Sequence, residues 1–111
     1  MVLLEQLQHF PETIEFNEVI AYIDQHYDFT PTAFKNGSTA NESGQNNGSC
    51  KVFSFAKLKG LTKGQTLSLF GEFYREDVLK NPNGNDHQNI RNFMNFGWEG
   101  ISFEGEALKE K

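Results

Sequence analysis

The sequence predicts a mainly α fold: a small single domain of four to five helices, with a long polar loop and a short extended C-terminal segment. Three observations predict it. Phe16, Val19, Ile20, Ile23 and Tyr27 fall at i, i+3, i+4, i+7 and i+11, the spacing of one helix face. Thr62 and Gln65 have the spacing of a capping box, followed by a stripe of Leu67, Phe70, Gly71, Tyr74 and Val78. Asp86 precedes Ile90, Phe93, Met94 and Gly97, a third apolar face with an acceptor at its start.

In chain order, residues 2–10 read as a short amphipathic helix whose Leu3, Leu4, Leu7 and Phe10 share a face, with Pro11 ending it. The second helix covers about 16–28. Phe29-Thr30-Pro31 stops it, because the residue before proline is pushed out of the helical region. Residues 36–49 then offer only Ala40 for burial, and their Asn-Gly pairs favour turns. A stretch of that length is a functional loop or a flexible insert. Ser49 caps a helix over 50–60, and the capping box opens another over 62–79. Gly71 costs that helix about 1 kcal/mol relative to alanine, which close approach of another helix backbone would justify. After the turn Asn81-Pro82-Asn83-Gly84-Asn85, the Asp86 helix ends with Gly97 in a left-handed position and Trp98 beside Phe93. Ile101 and Phe103, bounded by glycines, alternate as an extended segment.

Composition narrows the function classes. At 111 residues the chain is one domain, 1–111, and its apolar content is rich in aromatics, with eleven Phe, three Tyr and one Trp. Each buried Phe contributes roughly 1.5–3 kcal/mol, so a small core suffices. A net charge of −5 argues against nucleic acid, which needs a basic stripe. No apolar run approaches a membrane span, and no signal peptide opens the chain, so the expected place of synthesis is a reducing cytoplasm. Six carboxylates and no Lys or Arg occupy residues 1–34, whereas residues 43–71 hold four lysines and no acid. These read as solvated faces of neighbouring elements that attract weakly; the sharper reading is an acidic docking surface for a basic partner.

Several residues could carry chemistry. The helix grammar of 86–98 gives His87, Asn89, Arg91 and Asn92 no architectural task. His87 in a first helical turn, with Arg91 four residues on, would suit a small anion or a carboxylate. Tyr74 and Arg75 on the preceding helix complete the group, and His87 and Arg91 are expected to share a concave surface with Tyr74 or Arg75. The bland alternative pairs Arg91 with Glu76 or Asp77 across the turn and leaves His87 as a cap. No nucleophile lies beside His87 in sequence, so triad chemistry has no support. Asp24, His26 and Asp28 do not converge on one helix face, and 81–86 lacks the glycine and bidentate glutamate of a calcium loop. No metal and no cofactor are expected. Cys50 reads as a buried, inert thiol. The Asn-x-Ser triplets at Asn36, Asn41 and Asn47 read as incidental to an Asn/Ser-rich loop.

A set of ordered elements resembles a known family. Tyr27, Thr-Pro-Thr-Ala-Phe-Lys-Asn-Gly ending at Gly37, Asn41, Gly44 and Ser49 come first. Lys51-Val52-Phe53, Phe70-Gly71 and Tyr74 through Leu79 follow, then Pro82, Gly84, Asp86-His87, Asn89-Ile90-Arg91 and Gly97-Trp98. From Asp24 to Leu108 this is similar to the HopJ type III effector family of plant-pathogenic bacteria. The resemblance implies a protein made in the bacterial cytoplasm, delivered by a type III apparatus into a host cell, with a host protein as partner. It implies no reaction. Type III targeting segments are polar, Ser-rich and unstructured, and the helix expected over 2–10 departs from that pattern.

The leading expectation is therefore a small binding protein acting through protein contacts, with no turnover. Its contact surfaces are the 36–49 loop, including Asn36 and Asn41, and the polar edge carrying His87 and Arg91. The second expectation is a resident cytoplasmic protein or enzyme with a small-anion or metabolite pocket around Tyr74, Arg75, His87, Asn89 and Arg91. The sequence leaves the oligomeric state open.

Overall fold

Five α-helices and five three-residue strands make up a computed structural model that describes residues 3–111. The helices are α1 (Leu3–His9), α2 (Phe16–His26), α3 (Asn47–Lys59), α4 (Lys63–Ser68) and α5 (Gln88–Phe96). The strands are β1 (Tyr27–Phe29), β2 (Phe34–Asn36), β3 (Thr39–Asn41), β4 (Ile101–Phe103) and β5 (Leu108–Glu110). β1 pairs antiparallel with β5, while β2 lies between β3 and β4, antiparallel to both. With 55% helix and 14% strand in two sheets, the fold is mixed α/β, which corrects the mainly α expectation. The physical reason is length: three residues show little alternation, and of the five strands only β4, set between glycines, was marked by it.

The core explains how the pieces hold. Phe53 of α3 is fully buried, and its ring meets Phe34 of β2 at 6.1 Å, Phe70 at 5.3 Å and Phe93 of α5 at 4.9 Å. One side chain thus joins a sheet, two helices and the segment after α4. Tilted and edge-on ring pairs of this kind add about 0.5–1.5 kcal/mol each beyond burial.

Three predicted helices change at their ends. α2 stops at His26 because Tyr27 turns extended and enters the sheet with β5, so its last stripe residue is a strand residue. The predicted 62–79 helix is divided. Its capping box forms, with Thr62 Oγ1 accepting from the Gln65 amide and Gln65 Oε1 from the Thr62 amide. The α-helix ends at Ser68, Gly71 takes φ +59°, and Phe73–Val78 form a wider π turn. A Cβ on Gly71 would lie 2.6 Å from the Phe16 nitrogen and 2.8 Å from the Ile14 oxygen. Backbone approach is therefore the reason for that glycine, though the approaching segment is extended. The Asp86 helix starts at Gln88; His87 at φ 49° holds the cap position assigned to Asp86. Gly97 has a positive φ but ψ −153°, outside the left-handed helical well, and Trp98 does pack edge-on against Phe93 at 5.1 Å.

The expected 36–49 loop is largely structured. Asn36 and Thr39 face each other across a two-residue Gly37-Ser38 turn, and α3 begins at Asn47 rather than after Ser49. Only 42–46 connects the hairpin to the helix. The charged segments do meet: Lys51 Nζ lies 2.8 Å from Asp24 Oδ1, joining α3 to α2. Cys50 is buried with Sγ 3.6 Å from the Thr32 carbonyl, and burial pushes its thiol up from the usual value.

Candidate functional site

α5 meets the β2–β3 hairpin through asparagines. Asn36 Nδ2 donates to the Asn89 carbonyl (2.7 Å) and to Asn89 Oδ1 (3.0 Å). Asn41 Nδ2 donates to the same Oδ1 at 3.1 Å, and Asn89 Nδ2 returns a bond to Asn41 Oδ1 at 3.1 Å. Asn92 Nδ2 donates to the Asn36 carbonyl (3.1 Å) and to Thr39 Oγ1 (2.7 Å). All four side chains are buried, and their amide groups are met within the protein except Asn36 Oδ1, which has no partner among the described residues. Asn89 and Asn92 thus have an architectural task after all: they dock the hairpin on the helix. Burial also removes Asn36 and Asn41 from any role as glycan acceptors.

The remaining candidates separate. His87 Nε2 lies 3.0 Å from Asp77 Oδ2, and its ring stacks on Phe73 at 5.0 Å and 23°. Four residues apart on the π turn, Phe73 and Asp77 both reach the imidazole. Arg91 turns the other way. It donates to Asp86 Oδ1 at 2.5 Å, to the Asp86 carbonyl at 2.6 Å and to the Asn81 carbonyl at 2.9 Å. The Arg91 guanidinium holds the Asp86 carboxyl below its ordinary 3.8. Arg75 donates to the Ile14 carbonyl at 2.7 Å, and Tyr74 packs partly buried against the core. Across the turn His87 therefore meets Asp77, while Arg91 pairs with Asp86 on its own side of the turn, a different pairing from the one expected.

One polar cleft of about 490 Å³ collects part of the candidate group. His87, Gln88 and Asn89 at the start of α5 line one side, and Asn46, Gly48 and Ser49 at the start of α3 line another, with Phe73 between. Arg91 opens on a different hollow, beside Val78, Pro82 and Gly84, and Tyr74 and Arg75 line neither. The two helix starts share an unusual geometry. Asn46 and His87 are the non-glycine residues with positive φ among the described residues, and each is an N-cap whose side chain caps nothing. The first bond of α3 runs from the Cys50 amide to the Asn46 carbonyl, that of α5 from the Arg91 amide to the His87 carbonyl. The amides of 47–49 and 88–90 precede those bonds and have no partner among the described residues, and of these residues Gly48, Ser49, Gln88, Asn89 and Ile90 line the cleft. Asn46 and Gln88 were not singled out from the sequence, and Ser49 was read there as a helix cap. The start of α3 inside an Asn/Gly/Ser run hid them.

The fold and cleft define a small mixed α/β domain with a preformed polar recess at the joint of two helix N-termini and a docked hairpin. The model of the family described as HopJ type III effector protein matches residues 1–108, and the chain belongs to that family. It is similar over 100% of its length to the crystal structure of the unknown-function protein VPA0580, at 57% identity, TM-score 0.97 and 95% coverage of that protein. No curated protein matches the chain. No helix among the described residues is long and apolar enough to cross a membrane.

Proposed function

We propose that this HopJ-type chain is a binding protein acting through protein contacts, and that its recognition point is the cleft between the starts of α3 and α5. The observation that carries this reading is the convergence there of two sets of unbonded helix N-terminal amides with His87 and Ser49. Such ends carry partial positive charge and favour carboxylate or phosphate oxygens. An acidic group on a partner protein is the expected ligand. Binding rather than turnover is favoured because the His87 ring has Asp77 as its partner, with no hydroxyl or thiol among the described residues hydrogen-bonded to it. The family description favours delivery by a type III apparatus. The packed N-terminal helix, with Leu3 and Leu7 buried, is unlike a free targeting segment, so a translocation reporter fused to the full chain decides that part separately.

The test titrates inorganic phosphate, acetate and an aspartate-rich peptide against amide chemical shifts. The expected result is saturable shifts at 47–49 and 88–90, strongest with the peptide. Ser49→Asp, which places a carboxylate in the first turn of α3, should abolish them. Shifts with the free anions alone would favour a small-metabolite site, and shifts spread over the surface would refute the cleft.

A further inference from the structure

The outer edge of β4 is unpaired in a way that points to a ligand. Gly37–Gly100 and Ala33–Glu104 are bonded pairs of the β2–β4 ladder, with the Gly37 amide on the Gly100 carbonyl and the Glu104 amide on the Ala33 carbonyl. Antiparallel pairing alternates, so Ile101 and Phe103 direct their backbone groups away from β2. The Ile101 amide is taken by the Trp98 carbonyl. The Ile101 carbonyl and both backbone groups of Phe103 have no protein partner among the described residues.

Two hollows flank this edge and meet at Lys57. One, of about 340 Å³, is walled by Leu61, Trp98 and Ile101; the other, of about 570 Å³, by Leu58, Phe103 and Leu108. Ile101 and Phe103 stand two residues apart on one strand, about 6.6 Å, which is also the repeat of alternate side chains on any added strand. Leu58, on the neighbouring helix, is 59% exposed and has no packing role that would account for it. Lys57 Nζ rests 5.5 Å from the Phe103 ring centre and forms no ion pair among the described residues. Lys59, Lys109, Glu106 and Glu110 also line the larger hollow.

We propose that the groove between α3 and the β4 edge binds an extended peptide segment of a partner protein, added antiparallel to β4. Its residue opposite Phe103 exchanges two backbone hydrogen bonds, and another amide donates to the Ile101 carbonyl. Apolar side chains at alternate positions fill the two hollows, and an acidic side chain between or beside them meets Lys57. A small amphipathic acid would satisfy the lysine and the apolar walls but leave the three backbone groups unmet, which favours the peptide. This groove is separate from the His87 cleft, so either can fail alone.

A random dodecapeptide library selected against the whole chain tests the proposal. Enriched sequences should carry an apolar-x-apolar core with an Asp or Glu beside it. At saturation the Phe103 amide should exchange at least tenfold more slowly. Lys57→Glu, at an exposed helical position, should weaken binding at least tenfold while leaving the amide spectrum of the core unchanged. The proposal is overturned by a library without enrichment, by peptides that leave Phe103 exchange unaltered or tolerate Lys57→Glu, or by shifts confined to 47–49 and 88–90. Concentration-dependent protection of Phe103 without peptide would also overturn it, in favour of a second copy of the chain.

Discussion

At the scale of single residues, the same substitution at two glycines should have very different costs. Gly37 and Gly71 both have φ near +60°, so alanine is strained at either, by about 1–2 kcal/mol. At Gly37 the new Cβ runs into the Phe96 ring, but Phe96 is half exposed and can swing into water. At Gly71 it meets backbone of 14–16, which is tied down by Glu72 accepting from the Phe16 amide and Arg75 donating to the Ile14 carbonyl. Urea denaturation should show Gly37→Ala losing about 1–2 kcal/mol and Gly71→Ala at least twice that. The buried amides allow a second comparison. Asn89→Ala removes the two bonds between the Asn89 and Asn41 amides and the one from Asn36 Nδ2 to Asn89 Oδ1, and should cost about 2–4 kcal/mol in the same assay. A loss under 1 kcal/mol would mean that water replaces the network.

At the scale of elements, the turn joining the π segment to α5 is held by Arg91 and Asp86. The carboxyl titrates below its ordinary 3.8 because the guanidinium bonds it. A depressed folded value means the pair stabilises fully above about pH 4 and loses its effect as acid protonates Asp86 in the fold. The difference in urea midpoint between the wild type and Asp86→Asn should therefore be constant near neutrality and shrink below pH 3.8. Elements were legible from the sequence where apolar spacing or capping chemistry marks them, as in α1, α2 and the Thr62–Gln65 box. The β2–β3 hairpin was hidden because two of its three buried residues, Asn36 and Asn41, are polar and bury by hydrogen bonding, which looks like a loop in a hydrophobicity pattern and leaves Phe34 isolated. The candidate site was legible only in part for a related reason. His87 and Asn89 do face one cleft wall, but the branch that sends Arg91 to Asp86 depends on His87 adopting a left-handed backbone, which no spacing rule announces.

At the scale of the whole molecule, the chain closes on itself near its end: Tyr27 pairs with Glu110 and Phe29 with Leu108. Ala107 and Leu108 are buried, and the Thr30 amide bonds the Ala107 carbonyl at 2.8 Å, so the last strand is part of the core boundary rather than a tail. The Tyr27 ring, edge-on to Phe55 at 5.8 Å, lies on the sheet that this strand completes. Leu108→Ala should accordingly cost about 2–5 kcal/mol, the range for a buried leucine that leaves a cavity. Ending the chain after Gly105 removes the same side chain together with the β1 partner strand, and so should cost more than Leu108→Ala and broaden the thermal transition. Calorimetry separates the cases. A sharp transition with a loss of only a few degrees would show that β1 and α2 hold without β5. A broad or absent transition would establish that the two ends of this sequence fold as one cooperative unit.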